Sequence, residues 1–220
     1  MNVFPALASQ IADRAPPLAP PESEGIRLIG VTTHMTRDQE VFGEGEPADH
    51  VYRVVRGAVR GFRILSDGRR QIYDFYLPGD IFGIERGAEH RITAEALTDT
   101  ILVVARRSAL GHGSDGATAW RLWDLAMVEL HRSHDHALSL GRRSAGERVA
   151  DFLVDMAKRI GDGEHAELPM SRHDIADYLG LTIETVSRTL TQLQISGLIE
   201  LAGCRSIHLR RPTALAELCA

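Results

Sequence analysis

One change of hydrophobic periodicity, close to Gly116, constrains this 220-residue chain more than any other feature. Upstream of it, turn-forming clusters recur at Gly43-Glu44-Gly45-Glu46-Pro47, Arg56-Gly57, Ser66-Asp67-Gly68 and Pro78-Gly79-Asp80. Between them lie short runs of β-type residues, Val51 to Val55, Val59 to Ile64 and Gln71 to Leu77. Turn signals at this spacing predict a small antiparallel barrel or roll, and the Asp67-Gly68 pair suits a hairpin corner. Ahead of the roll, residues 1–25 contain Ala15-Pro16-Pro17-Leu18-Ala19-Pro20-Pro21, too rich in proline for continuous helix, and read as a flexible extension. The roll is expected over 26–112.

Downstream, the period becomes helical. Trp120, Trp123, Ala126, Met127, Leu130, His134, Ala137 and Leu138 recur at three- and four-residue steps, with no Pro or Gly before Gly141. This predicts one long helix over 115–141. A long helix with a single apolar seam buries that seam against another helix, so a homodimer is expected, with Trp123, Met127, Leu130, His134 and Leu138 on the dimer face. A further helical pattern runs from Glu147 to Ile160 and stops at Gly161-Asp162-Gly163, opening a last unit expected over 142–220.

Within that unit, two short helical patterns, Arg172 to Leu179 and Thr182 to Ser196, are separated only by Gly180-Leu181. Ser171 and Thr182 can cap them. Ile175, Ala176, Leu179, Val186, Leu190 and Leu193 are spaced to form a shared core, and Gly180 permits the sharp corner. The pattern is a helix-turn-helix, which leaves Ile183, Glu184, Ser187 and Arg188 at the N-terminal end of the second helix, the end presented to base edges in the major groove. Arg forks onto guanine, Glu accepts from a cytosine amino group and Ser bonds a base or a phosphate. Ser171, Thr182, Thr185 and Thr189 are expected to hold the DNA backbone. Gly197 to Leu201 and Ser206 to Leu209 flank the turn Ala202-Gly203-Cys204-Arg205, predicting a wing. Cys204 in that turn is a candidate redox residue, since oxidation would add bulk and charge beside the phosphates.

The net charge of −5 confines any DNA-binding surface to a local basic face. No stretch is apolar and long enough for a membrane span, and the N-terminus has no signal-peptide pattern, so a cytoplasmic protein without membrane contact is expected. The 2 cysteines, Cys204 and Cys219, have no metal-ligand spacing. His131 and His134 share a helix face without a third ligand at matching spacing, and the His134-x-His136 pair lies in a helical stretch rather than on cupin-like strands. No metal, cofactor or enzymatic activity is expected.

The order of β-roll, long helix and Met170-Ser171-Arg172-His173-Asp174-Ile175-Ala176-Asp177-Tyr178-Leu179-Gly180-Leu181-Thr182-Ile183-Glu184-Thr185-Val186-Ser187-Arg188, with Pro78-Gly79-Asp80-Ile81-Phe82-Gly83 in the roll, resembles the Crp/Fnr superfamily of bacterial regulators over about residues 26 to 212. The run from Leu179 to Arg188 looks most like its FixK branch. The resemblance implies an α+β fold, with an antiparallel β-roll like those that bind cyclic nucleotides, a dimerisation helix and a C-terminal winged helix-turn-helix. It implies a transcription regulator, mainly an activator, binding double-stranded DNA at a TTGAT-N4-ATCAA-like palindrome and controlling low-oxygen or nitrogen-metabolism genes. Receptors for cAMP carry Arg immediately before the Glu and Gly in place of the Ser, where this chain has Ile183 and Ser187. By the same resemblance, loops 66–70 and 160–165 face RNA polymerase. The extension has no cysteines for an iron–sulfur cluster, and His90-Arg91 stands where cAMP binders have Arg-Ser, so neither ligand is expected. The alternative reading is a regulatory module with a small-molecule effector in the roll.

Overall fold

A computed structural model describes residues 28–110 and 116–218; the expected extension at 1–25 lies outside the described residues. The front half is a roll of two four-stranded antiparallel sheets. One has the order β1 (Val31–Met35), β8 (Thr100–Arg106), β3 (His50–Arg56), β6 (Ile81–Phe82). The other has the order β2 (Glu40–Phe42), β7 (Thr93–Ala96), β4 (Val59–Ile64), β5 (Arg70–Tyr76). The β4–β5 hairpin turns at the expected corner, where the Gly68 amide donates to Leu65 O at 2.9 Å and the Asp67 carboxylate accepts from the Arg69 amide. Between the sheets Met35, Phe42, Tyr52, Val54, Val59, Phe82 and Leu102 form one apolar cluster. Stacking runs through it, Tyr76 on Phe82 at 4.6 Å and Phe42 on His90 at 3.6 Å, so side chains fill the middle of the roll.

The helical half begins with α1 (Gly116–Arg142), followed by α2 (Ala145–Ile160). The break between them is made by Ser144, whose hydroxyl accepts from the Glu147 amide while the Glu147 carboxylate reaches back to the Ser144 amide. Then come β9 (His165–Glu167), α3 (Arg172–Leu179), α4 (Ile183–Ile195), β10 (Ile199–Leu201), β11 (Ser206–Leu209) and α5 (Pro212–Glu217). The expected wing is the β10–β11 hairpin, but the sheet has a third strand, in the order β10-β11-β9. Three residues carry too little pattern to announce a strand; β9 exists because β11 has an edge to pair. Helix α5 was also not anticipated, although Pro212 at its start is a helix-opening signal.

A second apolar core joins the halves. Val149, Phe152, Leu153 and Met156 of α2 pack on the α3–α4 residues Ile175, Leu179, Val186 and Leu190, and the same cluster takes in Phe62, Ile72, Phe75 and Leu77 from β4, β5 and the turn after it. Tyr178 is the crossing point: its ring lies 5.2 Å from Phe75, 5.8 Å from Phe152 and 4.0 Å from His136 of α1. The β-roll and the helix-turn-helix therefore share buried surface.

On α1, Arg132 and His136 are half-buried and Ser139 is buried against the chain's own body. Opposite them Trp120, Trp123, Leu130 and Leu138 are exposed, Trp123 at 61%. Of the other seam residues, His134 is exposed and Met127 half-buried.

Candidate nucleic-acid interface

The helix-turn-helix is built as its sequence predicts at its corner and caps. Gly180 ends α3 with φ +62°, and the Gly180 and Leu181 amides both donate to Ala176 O, which closes the helix in little more than a turn. Thr182 caps α4 through the Thr185 amide at 3.2 Å. Ile175, Ala176, Leu179, Val186, Leu190 and Leu193 are all buried.

The four expected base-reading residues do not stand alike. Ile183, Glu184 and Arg188 are exposed on the N-terminal half of α4. Arg188 makes no hydrogen bond or ion pair among the described residues. Hydrogen bonds from its own backbone amide and from the Thr182 hydroxyl hold the Glu184 carboxyl below its ordinary range, so at neutral pH it is a pure acceptor. Ser187 is half-buried, and its hydroxyl lies 3.4 Å from the Arg172 guanidinium, which couples the start of α3 to the reading face.

The expected backbone contacts divide more sharply. Thr182 is exposed and Thr185 half-buried, their hydroxyls 3.2 Å apart. Thr189 is buried, 6% exposed, and points inward. It lies three residues after Val186 and four before Leu193, on the apolar stripe of the helix, a placement that one-turn spacing from Thr185 had concealed. Ser171 is committed to a capping box, accepting from the Asp174 amide and donating to the Asp174 carboxylate at 2.6 Å, so its hydroxyl is not free for a phosphate. Cys204 is an exposed free thiol in the β10–β11 turn.

The missed residues are those that fix the site to the roll. Asp174, 3% exposed, receives Arg60 from β4 at 2.9 Å and Arg70 from β5 at 2.7 Å on one oxygen, while Ser171 occupies the other. Arg70 also binds Asp177 at 2.8 Å, and Arg60 pairs with Glu95. Burial pushes the Asp174 carboxyl up, but the Ser171 hydrogen bonds and the two guanidinium groups outweigh it, and the net shift is downward. Nearby, Arg148 donates to Leu140 O and Leu179 O, closing the ends of α1 and α3 together. Arg159 reaches from α2 to Phe75 O and Asp80, both at 2.8 Å. The 66–70 loop thus sits beside α3, with Gln71 also reaching Tyr178 O. No local sequence signal marks Arg60 or Arg70, which look like ordinary solvated strand residues.

A winged helix-turn-helix whose second helix exposes Glu184 and Arg188, set against an antiparallel roll and a long helix, defines a class of DNA-binding regulators rather than enzymes. The comparisons give the family. Residues 147–218 match the Crp-like helix-turn-helix domain and residues 32–112 the cyclic nucleotide-binding domain. The chain is 45% identical over 202 residues to the nitrogen fixation regulation protein FixK of Rhizobium meliloti, covering 92% of each. It is 38% identical to the transcriptional activatory protein AadR of Rhodopseudomonas palustris, covering 90% of this chain and 87% of that one. The solved structure of FixK2 from Bradyrhizobium japonicum matches with a TM-score of 0.84 and 49% identity, covering 88% of this chain and 98% of the other. The chain belongs to the Crp/Fnr family of transcription regulators and is FixK-like within it. Among the described residues, no helix is long and apolar enough to cross a membrane.

Proposed function

We propose that the protein is a cytoplasmic, homodimeric regulator, acting mainly as an activator, that recognises a TTGAT-N4-ATCAA-like palindrome. The observation that carries this is the pairing on α4 of an unpartnered Arg188 with an ionised Glu184, one turn apart and both exposed. Arg188 reads a guanine through O6 and N7, and Glu184 accepts from the neighbouring cytosine amino group. Ile183 adds an apolar contact. Ser187, half-buried against Arg172, bonds a base or phosphate from the inner edge, and Thr182 and Thr185 hold the backbone where phosphates approach the α4 N-terminus.

The exposed Trp120, Trp123, Leu130 and Leu138 of α1 supply the apolar area for pairing with a second copy. Residues 26–112 then act as the roll, 115–141 as the dimer helix and 142–220 as the DNA-reading unit. Loops 66–70 and 160–165 are the expected polymerase contacts. The printed names of the relatives, a nitrogen fixation regulation protein and a transcriptional activatory protein, favour low-oxygen or nitrogen-metabolism targets.

Selection of bound sequences from random DNA tests half-site, symmetry and spacing together. Enrichment of TTGAT in inverted pairs with a four-base gap is the expected result. Recovery of single half-sites, or of TGTGA, overturns the reading.

A further inference from the structure

The three-stranded sheet of the DNA-reading unit carries a cluster that neither the reading helix nor the roll uses. In the pairing of β9, β11 and β10, His165 stands opposite His208, and His208 opposite Glu200, so these three residues form one row across the sheet. Neighbouring strand positions Ala166, Ile207 and Leu209 are buried, so alternation turns the row to the outer face. The two imidazole rings stack at 4.0 Å with 15° between their planes. Glu164 completes the group: one ligand atom from each of Glu164, His165 and His208 lie within 4.8 Å of one another.

We propose that Glu164, His165 and His208 bind a divalent transition metal of the Zn²⁺ class. Three features carry this. The donor set, two imidazoles and a carboxylate, is that of many three-ligand zinc sites, with water completing a tetrahedron. Carboxylates stand beside both rings: Asp162 Oδ2 lies 3.2 Å from Nδ1 of His165, and Glu200 Oε2, which also receives Arg210, lies 3.7 Å from Nδ1 of His208, beyond hydrogen-bond reach. The Asp162 carboxylate on Nδ1 of His165 leaves Nε2 as that ring's ligand atom, the arrangement metal-bound histidines adopt. Finally, the backbone holding His165 is preset. Asp162 Oδ1 accepts from the Glu164 and His165 amides at 2.9 and 2.7 Å, and Gly161 lets the turn close so tightly that a Cβ there would meet His165 O at 1.7 Å. The exposed Glu164 and His165 and the half-buried His208 must turn about their side-chain torsions, opening the ring stack, to bring the donors from 4.8 Å to the roughly 3.3 Å separation that zinc–ligand bonds of about 2.0 Å impose.

Spacing in the sequence does not reveal this site, because His165 and His208 lie on different strands; the proposal replaces the expectation of no metal. The site is independent of the DNA reading. Bound metal would staple the 160–165 turn to β11.

The test uses tag-free, metal-stripped full-length protein in competition with a chromophoric zinc chelator, and Co²⁺ as a spectroscopic probe. Wild type should bind one Zn²⁺ per chain and give the visible absorption of tetrahedral Co²⁺. His208→Ala and Glu164→Gln should each weaken zinc binding at least tenfold and abolish that absorption, and Asp162→Asn should weaken it about tenfold through His165. Asp162 and Glu164 are exposed and His208 is half-buried on the outer face of the sheet, so circular dichroism should be unchanged. Equal zinc stoichiometry and affinity in wild type and both ligand variants overturns the proposal, as does wild type binding no Zn²⁺.

Discussion

Asp174→Ala should destabilise the DNA-reading helices strongly, though Asp174 is not expected to touch DNA. Its carboxylate accepts from the Ser171 amide and hydroxyl on one side and from Arg60 and Arg70 on the other. Removing it cancels the reciprocal half of the α3 capping box, worth about 1 kcal/mol. It also breaks a buried charge cluster, which costs about 3 to 5 kcal/mol when a guanidinium is left wholly unpaired. Here the loss is partial, because Arg60 keeps Glu95 and Arg70 keeps Asp177. The low end, about 3 kcal/mol in total, is therefore expected, a fall of roughly 6 to 12 °C in Tm for a chain of this size. Arg70→Ala alone should cost less, about 1 kcal/mol, and less again in the Asp174→Ala background, where only its bond to Asp177 is left to lose. Thermal melts of the four proteins measure the coupling. Because the folded carboxyl lies below its ordinary value, the stabilisation is present above the unfolded pKa and lost as pH falls through the folded one, so wild type and variant should converge in acid. A shift under about 2 °C together with additive single effects would refute the clasp.

Four further outcomes are expected. Arg188→Ala should leave Tm unchanged and reduce discrimination between a TTGAT palindrome and a scrambled site by about 1 to 3 kcal/mol in mobility shifts; unchanged selectivity removes Arg188 from base reading. Burial raises the Asp74 carboxyl to about 7, with Arg159 pulling it back and Glu129 and Asp80 pushing it further up. The unfolded chain loses this proton near 4 and the folded one near 7, so stability should decline as pH rises through that window, and Asp74→Asn should flatten the decline. Trp123→Glu with Leu130→Glu should convert a dimer to monomers by light scattering, since each apolar side chain contributes about 1.5 to 3 kcal/mol when buried; a persisting dimer places the interface elsewhere. If Cys204 is redox-active, peroxide should weaken DNA binding by wild type but not by Cys204→Ser, and an equal response in both excludes the thiol.

Local signals carried the architecture a long way. Periodicity separated β-roll from helices, and the reading end of α4 was legible because a helix-turn-helix is specified within about twenty residues: two caps, one corner glycine and an apolar stripe. The burial of Thr189 was not legible because helical spacing alone does not say which edge of the stripe is covered, nor was the bond that ties the Ser171 hydroxyl to Asp174 three residues away. The strand β9 and the His165–His208 row depend on pairing between segments remote in sequence, which no local pattern encodes.

By itself, the sequence determined the class of fold, the helix-turn-helix with Glu184 and Arg188 exposed on its second helix, and the family, because each of these is written in contiguous residues whose spacing obeys a fixed helical or strand period. Only the tertiary structure decided that Arg60 and Arg70 of the roll grip Asp174, that Tyr178 knots the two halves through Phe75, Phe152 and His136, and that Thr189 is buried. Those outcomes follow from which faces meet when two apolar surfaces are buried together, and that is fixed by the packing of the whole chain.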